Sequence, residues 1–229
     1  PNAYLSGWMA WFGHTIAGSL YAVAFGSFFA HLLRTSGVIG DDIGIPVDKI
    51  LAAIAIIIFI FVNVRGSSDT GKVGNAITFT QLAIIGILIA AAIGAMMFTN
   101  PNWSDNYTDF IPSGVAGLAL AMGLTFIAFE GYEIISQAGD EIKNPRRNIP
   151  RAILISLGIV VSVYIVFTFV FIGGLNESVI GMPAWEFIGS FGELGIIEAA
   201  DQFLPYGALI VLAGGLVSTI SALNATTFA

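Results

Sequence analysis

Met122–Arg151 reads MGLTFIAFEGYEIISQAGDEIKNPRRNIPR. Two carboxylates, Glu130 and Glu133, flank Gly131 deep in an apolar run. A cationic turn follows, and Pro150 opens the next apolar run. An acidic side chain at the centre of a membrane helix costs roughly 2.5–3.5 kcal/mol on insertion scales. A chain that keeps two of them is expected to face them into protein or water.

The surrounding composition fits a membrane setting. The 229 residues are 56% hydrophobic and only 10% charged, with a mean hydropathy of +0.88. A soluble domain carries about 25% charged residues. Twenty-seven glycines suit closely packed membrane helices. With no cysteine there is no disulfide or thiolate metal site. His14 and His31 stand far apart with no ligand pattern near either, so neither a metal nor a cofactor is expected. No charged leader or cleavage site opens the chain. A start at Pro1 and an end directly after an apolar run read as a piece of a longer protein.

Six apolar segments stand out, at about 5–33, 47–64, 76–98, 112–138, 152–174 and 205–228. Each is long enough to cross roughly 30 Å of hydrocarbon as a helix. Continuous runs such as Ala53–Val62 argue against the alternating pattern of a β-barrel. The expected fold class is therefore an all-α integral membrane protein in a single transmembrane unit over 1–229.

Basic residues set the expected orientation. Arg65 and Lys72 lie in 65–75, and Lys143, Arg146, Arg147 and Arg151 in 139–151. Segments 99–111 and 175–204 hold no Lys or Arg but many acids. Six of the eight basic residues thus share one side, read as cytoplasmic, with both ends of the chain there too. Trp103 and Tyr107 read as interfacial anchors. Segment 175–204 mixes apolar and acidic positions, as short amphipathic helices over the outer face or a passive loop would. His14 reads either as a polar pathway residue or as a packing histidine.

The opening stretch carries the chemistry. One straight helix from Pro112 to Ile142 would be about 46 Å long, more than the hydrocarbon needs. Gly123 and Gly131 bracket a place for a break, since glycine weakens a helix by about 1 kcal/mol relative to alanine. A broken membrane helix presents free carbonyls at one half-end and free N–H groups at the other, which suits a small charged solute. Glu130 and Glu133 would sit only about 60° apart on a helix and would not both ionise easily when close and dry. Glu130 is the candidate proton carrier. Glu133 either binds solute or caps the second half-helix. Asn144-Pro145 is expected to end the helix, and Asn148 to cap the next, with Ile149 and Pro150 as its first residues.

The run F-E-G-Y-E at Phe129–Glu133, followed by K-N-P-R-R-N-I-P at Lys143–Pro150, resembles the amino acid–polyamine–organocation permeases. Their sixth helix carries F-x-G-x-E and is followed by K-N-P-x-R-N-I-P. The run S-T-I-S-A-L-N-A at Ser218–Ala225 is similar to their eighth helix, and Asn63–Gly66 fits their fourth–fifth connection. On that alignment the chain covers helices 3 to 8 of about twelve. The resemblance implies two inverted five-helix repeats, with helices 1 and 6 broken, the latter at about 112–138. It implies transport of amino acids or related amines by alternating access, with protons or by exchange, in the plasma or inner membrane. By the same resemblance, Phe126 and Phe129 line the substrate site, Ile127 and Ala128 offer carbonyls, Gly131 belongs to the unwound turn, and Glu133 is the motif glutamate.

Coupling candidates follow from the same source. Gln81 stands where some proton-coupled members have lysine. Ser218 and Thr219 stand where sodium-coupled relatives place hydroxyls; ordinary bonding to the helix backbone is the plainer account. Helix 1, which normally receives the substrate carboxylate, has no counterpart here. The implied partners are a small solute, a coupling proton or sodium ion and membrane lipid, not nucleic acid. Rival readings are an amino acid sensor on the same fold, a channel, which would need repeated acidic rings, and an intramembrane enzyme, for which H-E-x-x-H is missing.

Overall fold

The computed structural model describes residues 2–40, 44–65, 70–128, 131 and 142–228. Within these, the side chains of 2, 3, 65, 70–75, 127, 128 and 228 stand outside the description. The long elements are α1 (Asn2–Thr35), α2 (Val47–Arg65), α3 (Thr70–Phe98), α4 (Gly114–Ala128) and α5 (Pro145–Gly174). Three short helices follow, α6 (Glu177–Ile180), α7 (Ala184–Ser190) and α8 (Gly195–Phe203), and then α9 (Gly207–Phe228). Two 3-10 turns, Trp103–Tyr107 and Gly192–Leu194, complete the described residues, which contain no strand. Backbone groups in lipid must be paired within their own segment, so helices are the economical outcome for such apolar runs.

Five of these helices, α1, α2, α3, α5 and α9, are long and apolar enough to cross a membrane. The fourth apolar run behaves differently. Its helix has 15 residues, Gly114–Ala128, and spans only about 22 Å. It starts at Gly114, which has φ +62°. By Gly131, at φ +105°, the backbone has left the helix. That φ is open to glycine and strained for other residues. The interruption differs from the expected place in one respect: Gly123 lies inside α4, and the helix runs on to Ala128.

Helix ends also correct the sequence reading. α3 starts at Thr70, inside the segment taken as a loop over 65–75. α5 starts at Pro145, one turn before the expected Ile149. Its N-cap residue is Asn144, at φ 52°, a left-handed conformation that asparagine tolerates. Proline suits a first helical position, because its fixed φ is pre-set and its missing N–H would be unpaired anyway. Asn148 therefore does not cap; its Nδ2 donates back to the Lys143 carbonyl at 2.5 Å. Pro150 sits inside the helix and costs it one backbone donor.

Two packed clusters hold the bundle. Ala22 on α1, Ala52 and Ala55 on α2 and Leu223 on α9 bury one another. The larger cluster joins Leu88, Ala92 and Met96 of α3, Val170 and Phe171 of α5, and Val211 and Leu212 of α9. Ala184, Ile197, Ala199 and Ala200 of α7 and α8 belong to it as well. Segment 175–204 is thus not a passive loop but a run of short helices, as one of the two sequence readings expected, and its apolar face is packed into the core. Its turns are locally specified. The Asn176 side chain caps α6 by accepting from the Ser178 N–H at 3.1 Å, and Gly181 ends α6 at φ 75°.

Candidate functional site

Two of the residues singled out in the sequence meet in space. Gln81 on α3 and Ser218 on α9 line one cavity of about 230 Å³. Phe28 on α1, Glu193 on the second 3-10 turn and Gly214 and Gly215 on α9 line it too. The cavity exists because small residues let α9 approach its neighbours. A Cβ on Gly215 would meet the Phe28 ring at 2.5 Å, and one on Gly214 would meet Ile84 at 2.9 Å. Its polar inventory is one carboxamide, one hydroxyl and one carboxylate in an otherwise apolar wall. Carboxamide oxygen, hydroxyl and carboxylate all accept hydrogen bonds, so the set suits a donor or a small cation.

Thr219 lies beside Ser218 but is buried, and its hydroxyl donates to Gly215 O at 2.8 Å and Leu216 O at 3.1 Å. Its proton is spent on its own helix, as serine and threonine in membrane helices commonly do. Phe126 is exposed on α4, in a shallow groove with Leu118 and Met122. Ile127 and Ala128 are the last described residues of α4. Their side chains stand outside the description, and so do Phe129, Glu130 and Glu133 altogether. Of the motif, only Gly131 is placed, in the turn described above.

Several polar contacts were not legible in the sequence. Asn63 of α2 donates to Asn224 Oδ1 of α9 at 3.1 Å and to its own Phe59 carbonyl at 2.9 Å. At the other end, Asn100 Nδ2 donates to Gly173 O at 3.0 Å and Leu175 O at 2.8 Å. Asn106 Nδ2 donates to Ile172 O at 2.7 Å and Leu175 O at 2.8 Å. The Tyr107 hydroxyl donates to Phe169 O. The turn over Trp103–Tyr107 therefore satisfies the orphan carbonyls at the C-terminal end of α5. Trp103 and Tyr107 do not stand alone: the Tyr107 ring stacks on Phe169 at 4.9 Å, and Trp103 meets both edge-on.

Burial pushes the Tyr107 phenol above its usual range, while a backbone hydrogen bond at Gly173 pulls it back. A raised phenol favours the folded state only while it stays protonated. Its contribution is present below about pH 10 and is lost as pH rises through the folded value. Unfolding followed by tyrosinate absorbance should thus show a wild-type loss of stability above about pH 10 that is smaller in Tyr107→Phe.

The described residues form an all-helical bundle in which five helices are long and apolar enough to cross a membrane. The chain belongs to the amino acid permease family, whose model matches residues 1–229. It is 30% identical over 226 residues to an uncharacterized protein of Methanocaldococcus jannaschii, covering 96% of this chain and 46% of that protein. It is 29% identical over 241 residues to the methylthioribose transporter of Bacillus subtilis, covering 99% and 49%. It is 30% identical over 173 residues to cationic amino acid transporter 4 of Homo sapiens, covering 71% and 27%. The chain spans about half, or less, of the length of these relatives.

Proposed function

We propose that this chain is the part of a secondary transporter that carries one half of its solute site, and that it moves amino acids or related amines by alternating access. The observation that carries the reading is that Gly131, within F-E-G-Y-E and close after the last described residue of α4, stands outside the helix at φ +105°. A helix that stops inside a membrane leaves carbonyls that a solute ammonium can satisfy. Phe129 stands beside that solute, Ile127 and Ala128 supply carbonyls, and Glu133 holds the turn or the solute. Glu130 is the proton carrier of this scheme. The cavity between Gln81 and Ser218 is the place for a coupling proton or sodium ion, with Thr219 structural. The basic face, at the start of α5, is cytoplasmic in the plasma or inner membrane. One cavity is lined by both Gly7 and Thr226, which supports a reading with the two ends of the chain on the same side.

The test is uptake of labelled amino acids into proteoliposomes carrying the full-length protein. Glu133→Gln and Phe129→Ala should each lower uptake about tenfold, the scale of one lost charged or stacked contact. Ser218→Ala should leave binding intact but weaken dependence on the driving ion. Wild-type uptake unchanged by both of the first two variants would remove the site assignment. Equilibrium binding without counterflow would favour the sensor.

A further inference from the structure

A second cavity, of about 420 Å³, lies at the opposite end of the bundle from the outer turns, among α1, α2 and α9. This volume is within the usual range for a small-molecule site. Ile56, Ile60 and Leu223 give it apolar walls. Four hydroxyls line it, and each spends its proton on its own helix. Thr15 donates to Trp11 O and Ser19 to Thr15 O, both at 2.8 Å. Thr226 donates to Ala222 O at 2.8 Å and Thr227 to Leu223 O at 2.6 Å. A hydroxyl has one proton and two lone pairs, so these four oxygens offer the cavity acceptors only. The Trp11 ring also lines it and adds a face that attracts cations. Among the described residues lining it there is no carboxylate to bind a metal ion strongly. The lining suits an organic ammonium group, with lone pairs for its N–H bonds and apolar wall for its chain.

His14 lines the same cavity and is 8% exposed. Imidazole is the side chain whose ordinary charge change falls between about pH 5 and 8. It is the one imidazole among the described residues lining the cavity. The faces opposite it are Ile56 and Ile60 from α2 and Leu223, Thr226 and Thr227 from α9. α9 has no charged residue along its length. On α2, Asp48 and Lys49 are at the far end, and Arg65, whose side chain stands outside the description, closes the near end. Glu193, on the 3-10 turn that also touches α1, borders the other cavity.

We propose that this cavity receives the ammonium end of an amine on the inner face, and that protonation of His14 expels it. This deepens the transport reading and rests on it for how an amine arrives there. Like charges held close together in one cavity repel each other, so amine binding and His14 protonation compete. Competition is reciprocal: whatever the proton does to amine affinity, the amine does to proton affinity.

The experiment follows His14 by NMR in full-length protein labelled with 13C-histidine, assigned by difference from His14→Gln. The probe is propylammonium chloride, compared with sodium chloride at equal ionic strength and with sodium propionate. Propylammonium should lower the His14 midpoint by about half a pH unit or more, a threefold change in proton affinity. Thr226→Val with Ser19→Ala, which removes two acceptors and leaves the imidazole, should abolish most of that shift. The proposal is overturned if His14 fails to titrate between pH 5 and 8, or if propylammonium leaves its midpoint where sodium chloride does. It is also overturned if sodium chloride itself produces the downward shift, or if propionate binds and raises the midpoint. Because the readout needs no flux, a shift in a protein that does not transport separates this cavity from the transport reading, and flux without a shift does the reverse.

Discussion

Gly26→Ala is expected to lower the thermal unfolding temperature of the full-length protein in detergent by about 10 °C. α1 crosses α2 on a strip of small residues, Ala22, Gly26 and Ala30, all buried. Ala52 and Ala55 answer them from α2. A Cβ on Gly26 would run into the Asp48 carbonyl oxygen and approach the Ala52 nitrogen at 3.0 Å. These are backbone atoms, so no side chain can turn away, and the helices must part. Membrane helices associate through close packing of this kind, without a hydrophobic force between them. Overpacking costs about 1–3 kcal/mol in ordinary cores, and a backbone clash belongs at the upper end. A few degrees per kcal/mol gives the expected shift. Gly13→Ala is the control: nothing stands within 4 Å of its Cβ, and no loss is expected. Equal unfolding temperatures for the two variants would contradict the close crossing.

Asn106→Leu is expected to loosen the end of α5, at a cost of about 1–3 kcal/mol. Its amide serves two buried carbonyls, Ile172 and Leu175. Each keeps a second donor, the Leu175 N–H on Ile172 O and Asn100 Nδ2 on Leu175 O, so the loss is of two net hydrogen bonds at about 0.5–1.5 kcal/mol each. Asn100 shares the Leu175 carbonyl. The two asparagines are therefore coupled, and Asn100→Leu with Asn106→Leu should differ from the sum of the single effects by more than about 0.5 kcal/mol. Hydrogen exchange across 170–204 should rise in either single variant while α1 and α2 stay protected. Strict additivity, or exchange spread evenly over the bundle, would count against the clamp.

These two predictions also mark what the sequence holds and what it hides. The apolar runs are legible because hydrocarbon demands unbroken helical length. So is the weak point of the fourth run, since Gly131 permits a backbone that most residues avoid. Which small residue faces which helix is not legible: Gly26 looks like Gly13 until the crossing is known. Asn100 and Asn106 look like turn residues, because asparagine suits a turn and a carbonyl clamp equally well. The start of α5 was ambiguous for a related reason, with K-N-P-R-R-N-I-P offering Asn-Pro at one place and Asn-x-Pro at another. Gln81 and Ser218 each carried a signal through the family pattern, but their shared cavity depends on how α3 and α9 pack. His14 carried none, since a lone histidine on an apolar helix looks the same whether it packs or lines a cavity.

The shortness of α4 has an electrical meaning. At about 22 Å it falls some 8 Å short of a typical hydrocarbon thickness. Gly131, placed outside the helix, needs water or protein around it at that depth, because lipid offers no hydrogen bonds. Water that reaches the turn at Gly131 carries the potential of its own compartment inward with it. The membrane voltage, about 2.3 kcal/mol per charge per 100 mV, then drops across a thinner dielectric. A cation held at that turn would feel a steep field over a short distance, and its arrival or departure would register as a transient current even when no net flux follows.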